Sequence, residues 1–62
     1  MIIINGKKRK NPKSIENLLK IYKFPSNVAI VVNGELVKKK DWSRVVIKDN
    51  DVIDVLSFVG GG

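Results

Sequence analysis

Val28-Ala29-Ile30-Val31-Val32-Asn33-Gly34-Glu35-Leu36-Val37 reads as a strand, a two-residue turn and a returning strand. Five apolar and mostly β-branched residues in succession suit a central strand, apolar on both faces. Asn-Gly supplies the two positive φ angles of a type I′ turn, whose twist matches that of the paired strands. Side chains alternate across a strand, so the bulkier set Val28, Ile30 and Val32 is expected toward the core, with Ala29 and Val31 on the opposite face.

Working outward from this hairpin, the same turn signal recurs near the start of the chain. Met1 to Ile4 is a short β-branched run followed by Asn5-Gly6, which predicts a second hairpin returning through about Lys7 to Asn11. Its Lys/Arg-rich return strand reads as a sheet edge, where charge discourages pairing with another chain. Between the hairpins, Ile15, Leu18, Leu19 and Tyr22 recur at the spacing of one helical face, predicting an amphipathic helix over 14–23. Ser14 stands where an N-cap belongs, Glu16 suits the positive end of the helix dipole, and Pro25 places the stop near Lys23. Beyond the central hairpin, Lys38 to Ser43 breaks the pattern, with Trp42 expected to fold back onto the core edge. Val45-Val46-Ile47 is too short to assign, Asp49-Asn50-Asp51 is a turn cluster, and Val52 to Val59 reads as the last strand.

The order hairpin, helix, hairpin, connection, strand lets the last strand return between the first and third, so that one sheet holds a single helix on one face. This predicts an α+β β-grasp fold, a mixed sheet of four to five strands packed on one helix, over residues 1–59. A ferredoxin-like fold needs a second helix, and 38–48 lacks the periodicity for one.

The chain has 62 residues, 44% hydrophobic and 29% charged, with neither Cys nor His. That composition fits a small folded domain, and it excludes a thiolate nucleophile, an imidazole base, a disulfide and the usual zinc ligand sets. A domain of this size has little room for an enclosed catalytic pocket, so an enzyme is not expected. The longest apolar run, Val28 to Val32, is far short of a membrane span, and the opening residues do not resemble a signal peptide, which makes the cytoplasm the expected location. Net charge is 12 − 6 = +6, concentrated in Lys7-Lys8-Arg9-Lys10 and Lys38-Lys39-Lys40. Such runs read first as solvated surface and next as a docking patch for an acidic protein. Nucleic acid comes last, because only two of the 12 cations are Arg and neither run is interleaved with aromatics.

The chain ends in Gly60-Gly61-Gly62. A frayed terminus has no need to lack side chains, whereas a backbone that must enter a narrow channel does. Three extended residues reach about 10 Å, enough to carry a carboxylate off the domain into another protein's active site. Met1-Ile2-Ile3-Ile4-Asn5-Gly6, Ser14-Ile15-Glu16-Asn17-Leu18-Leu19, the Val28–Val37 hairpin, Asp41-Trp42, Asp49-Asn50-Asp51 and the glycine end form an ordered set across essentially the whole chain. In that set the chain resembles the ThiS family, the ubiquitin-like sulfur carriers of thiamine biosynthesis. The molybdopterin-synthase small subunit is similar in fold and tail but usually longer.

The resemblance implies that Gly62 is the modification site. Its carboxylate would be adenylated by a ubiquitin-activating-type adenylyltransferase that uses ATP, then converted by a persulfide sulfur donor into a thiocarboxylate, whose sulfur is delivered to thiazole synthase. Gly61 corresponds to the family's penultimate glycine and Gly60 to a variable spacer, so 60–62 form a flexible tail. The chain itself would hold no cofactor and no metal. Parity along Val52–Phe58 places Leu56 and Phe58 on the outer face of the sheet beside the tail, which with Val31 makes a candidate partner-binding patch; scattered surface apolars are the alternative. Two other functions remain open at this point. One is a carrier for molybdopterin or another sulfur acceptor, and the other is a non-covalent β-grasp binding module.

Overall fold

The structure, a computed structural model, describes residues 1–57. Phe58, Val59 and the three terminal glycines lie outside the described residues, and with them the expected end of the last strand and the tail. Two hairpins flank one helix: β1 Ile2–Ile4 and β2 Lys7–Arg9, α1 Ile15–Ile21, then β3 Val28–Val32 and β4 Glu35–Val37. A 3₁₀ helix over Lys39–Arg44 follows, and β5, Val52–Ser57, completes a five-stranded sheet of order β2-β1-β5-β3-β4. β5 runs parallel to β1 and antiparallel to β3. It therefore joins the two hairpins, as expected for a β-grasp.

Both Asn-Gly pairs form the turns their residues demand. φ is +49° and +81° at Asn5 and Gly6, and +51° and +86° at Asn33 and Gly34. Each asparagine also ties its turn to β5. Asn5 Oδ1 accepts from the Val55 N–H at 2.8 Å while its amide donates to the Val55 carbonyl at 3.4 Å. Asn33 Oδ1 accepts from the Val52 N–H at 2.8 Å, and its amide donates to Asp51 Oδ1 at 2.9 Å. The strand that joins the hairpins is thus pinned toward both ends by turn residues.

α1 starts where expected, with Ser14 Oγ accepting from the Asn17 N–H at 3.1 Å. It ends two residues before Lys23, and the cause is Lys23 itself rather than Pro25. Lys23 takes a left-handed φ of +58°, its N–H bonds the Lys20 carbonyl at 3.3 Å, and the Phe24 N–H bonds the Leu19 carbonyl at 2.9 Å. These two bonds make a Schellman motif with lysine in the place glycine usually takes.

The core lies between the inner face of the sheet and α1. Ile2, Ile15, Leu18, Ile30, Ile47 and Ile53 are fully buried, and no polar residue is buried among the described residues. Trp42 reaches further in than the core edge. It is buried within the cluster, and its indole N–H donates to the Val37 carbonyl at 3.1 Å. Anchored this way, it holds the 3₁₀ helix, whose i, i+3 repeat has no apolar stripe to reveal it in the sequence. The unassigned Val45-Val46-Ile47 segment crosses beside the start of α1. Val46 bridges Ser14, and the Ile47 N–H bonds the Lys13 carbonyl at 2.9 Å. Val32, expected in the core, is only half-buried, because it precedes the turn and its cross-strand partner Glu35 is exposed.

Candidate functional site

β5 is the element from which the chain continues toward Gly62, so its surroundings define the site. Ile53 and Val55 point into the core, which leaves Val52, Asp54 and Leu56 on the outer face as parity requires. Leu56 is 53% exposed and pairs with Ala29, while Asp54 pairs with Val31. Val31 and Leu56 are therefore diagonal neighbours across β3 and β5, within reach of one contacting surface. Phe58, the third residue expected in the patch, falls outside the described residues, as do Gly62, the expected modification site, and its neighbours Gly60 and Gly61.

The apolar surface extends beyond what the sequence reading found. Leu36, 64% exposed, pairs directly with Val31 across the hairpin, and Ile3 pairs with Val52, itself exposed. The signal was available, since a two-residue turn at Asn33-Gly34 sets the register and so places Leu36 opposite Val31. The outer face thus carries Ile3, Ala29, Val31, Leu36, Val52 and Leu56, interrupted on β5 by Asp54. An antiparallel or mixed sheet with one solvated face normally alternates apolar with polar there, and this largely apolar outer face departs from that pattern.

The base of this surface is held by hydrogen bonds rather than by buried charge. Asp51 accepts from the Lys48 N–H and from the Asn33 amide, both at 2.9 Å, and these bonds hold its carboxyl below the usual carboxylate range, the backbone bond contributing most. Asp49 is held low in the same way by the Met1 ammonium at 3.1 Å and by the Asn11 amide. No group of three or more acidic side chains among the described residues is placed to hold a metal ion. What the described residues provide is a sheet with a largely apolar outer face. Among the described residues no helix is long and apolar enough to cross a membrane.

Comparison with known proteins gives a consistent set. The chain is 36% identical to the sulfur carrier protein ThiS of Bacillus subtilis over the full length of both chains. It is 34% identical to part of a thiazole synthase of Paramagnetospirillum magneticum, matching 98% of this chain to 20% of that protein. Among solved structures, that of the thiamine biosynthesis protein ThiS from Geobacter metallireducens superposes with a TM-score of 0.78 at 25% identity, covering 98% of this chain and 97% of that one. The model of the ThiS family matches residues 2–62, and the chain belongs to that family.

Proposed function

We propose that this ThiS-family chain, a sulfur carrier of thiamine biosynthesis, carries its sulfur as a thiocarboxylate on Gly62. The observation that carries the reading is a family match that extends through the glycine tail, in a chain with no Cys and no His to hold sulfur in any other way. An activating enzyme of the ubiquitin-activating type transfers AMP from ATP to the Gly62 carboxylate and releases pyrophosphate. The acyl carbon is then electrophilic. A persulfide sulfur attacks it and expels AMP, and a second thiol reduces the acyl disulfide so formed, leaving the thiocarboxylate. The chain is the substrate of these steps and not their catalyst, and ATP belongs to the partner.

The thiocarboxylate sulfur goes to thiazole synthase, in the cytoplasm. Support for that partner comes from the thiazole synthase relative in which a segment like this chain is part of the same protein, since fusion raises the effective concentration of two parts that work together. Val31, Leu36 and Leu56 form the face on which the partners dock.

Intact-protein mass spectrometry after incubation with ATP, a cognate activating enzyme and a persulfide source tests the reading. A mass gain equal to replacing one oxygen by sulfur, mapped to Gly62 and absent from a Gly62-deleted chain, is the expected result. Persistent lack of that gain with activating enzymes that load other carriers of this family would show that Gly62 does not carry the sulfur.

A further inference from the structure

Between β2, at the edge of the sheet, and the last turn of α1 lies an open cleft of about 390 Å³ that the sulfur-carrier reading leaves unused. We propose that this cleft is a second docking site, for an extended acidic segment of a partner protein that adds along β2 and anchors one apolar side chain against Ile21.

The cations come from two elements. Lys7 and Arg9 pair with Ile4 and Ile2, so all four share the inner side of the sheet, but Lys7 and Arg9 are exposed where the isoleucines are buried. Their side chains emerge two residues apart, about 7 Å, on one side of an extended strand. Lys23 is presented from the opposite wall by its left-handed conformation after α1. The Arg9 guanidinium lies 5.7 Å from the centroid of the Tyr22 ring, and the Tyr22 hydroxyl donates to the Lys10 carbonyl at 2.7 Å. Arg9 is thereby held over an anchored ring, its donor fork available to a carboxylate. Among the described residues the sole salt bridge joins Met1 to Asp49, so none of these three cations has an anionic partner there.

The apolar part is equally specific. Ile21 is 58% exposed on a helix whose other large apolar residues pack inward, and it lines the cleft together with the half-buried Tyr22 and Phe24. The edge strand supplies the remaining recognition. A two-residue turn makes Ile4–Lys7 and Ile2–Arg9 the hydrogen-bonded pairs, which leaves the Lys8 N–H and C=O facing outward, free to pair with an added strand. An extended segment with acidic side chains at alternate positions matches the spacing of Lys7 and Arg9. A small anion would want cations converging on an enclosed pocket, and a nucleic acid would want free aromatic faces for stacking, whereas the Tyr22 face is taken by Arg9.

The cleft opens at the end of the sheet where Asn5 bonds Val55, the same end toward which β5 runs. A partner that receives the chain beyond β5 is therefore within reach of it, although the groove and its occupant do not depend on the chemistry at Gly62.

The test uses the full chain, isotope-labelled for NMR, and as probe a short peptide with glutamate at two alternate positions, isoleucine at the next position of the same alternation and serine between, so that acids and anchor share one side of the added strand. Saturable shifts confined to the amides of Lys7–Arg9 and Ile21–Phe24 are expected. Binding should weaken by about tenfold in Lys7→Glu/Arg9→Glu and severalfold in Ile21→Ser and in Lys23→Glu. Lys39→Glu/Lys40→Glu, with the same charge change elsewhere, should leave it unaltered. All these positions are exposed, Arg9 facing the Tyr22 ring and Lys39 the Trp42 ring, and Lys23→Glu keeps the test valid should the double variant misfold. The proposal is overturned if the Lys39/Lys40 variant loses as much, if no amide shifts, or if the glutamine counterpart, oligothymidylate or inorganic phosphate shifts the same amides equally.

Discussion

On the inner face of the sheet Ile2, Ile4, Ile30, Ile53 and Val55 are at most 6% exposed, while on the outer face Leu36 of β4 and Val52 and Leu56 of β5 are more than 40% exposed. The residue types are alike, and only their phase in the pleat differs. The inner set is spent on the fold, because α1, Trp42 and Ile47 cover it. The outer set has no such cover within the described residues, and the proposed function assigns it to a partner. In a domain this small, where the single core leaves little stability to spare, such a division leaves the outer face free to serve recognition.

Paired substitutions on β5 break the comparison most directly. Ile53→Ala should destabilise by about 3–4 kcal/mol, the range for an isoleucine truncated in a closed core, and urea denaturation should show much of the domain's stability lost. If Ile53→Ala and Leu56→Ala proved equally damaging, the two faces would not differ as described. Next in size is the tie that fixes the phase. Asn33→Ala removes the acceptor for the Val52 N–H and puts alanine, which tolerates the left-handed region less well than asparagine, at φ +51°, so a loss of about 1–2 kcal/mol is expected in the same assay.

Acid should loosen that same joint. The Asp51 carboxyl is held below its ordinary range in the folded chain, so its contribution is present above the unfolded carboxylate value and is lost as pH falls through the folded one, below about pH 4. Denaturation midpoints should therefore drop between pH 6 and pH 3, and by less in Asp51→Asn. The smallest effect on folding belongs to Leu56→Lys and Leu36→Lys, each within about 0.5 kcal/mol of the parent. Both should nevertheless weaken binding to the activating enzyme by about tenfold in a titration, as loss of a central apolar contact does.

Local chemistry made much of this legible. Asn-Gly pairs announce both hairpins, the Ile15, Leu18, Leu19, Tyr22 spacing announces α1, and alternation along 52–58 places Leu56 outside. The site was legible in part. Val31 and Leu56 were found from parity within single strands, but Leu36 needs the pairing between strands, and Ile3 with Val52 needs the parallel contact of the first and last strands. The early end of α1 was missed because nothing in the identity of Lys23 signals a left-handed conformation, which lysine adopts here only because the chain must turn from α1 into β3.

By itself, then, the sequence determined the hairpins, the helix, the inward and outward phase of β3 and β5 and the membership in a carrier family, since all of these rest on interactions between near neighbours or on the ordered set of motifs. The tertiary structure decided which outer residues become neighbours, how Asn5 and Asn33 clamp β5, and that Lys7, Arg9 and Lys23 border one cleft with Ile21. Those depend on contacts between residues far apart in the chain, and local periodicity carries no information about them until the sheet has closed.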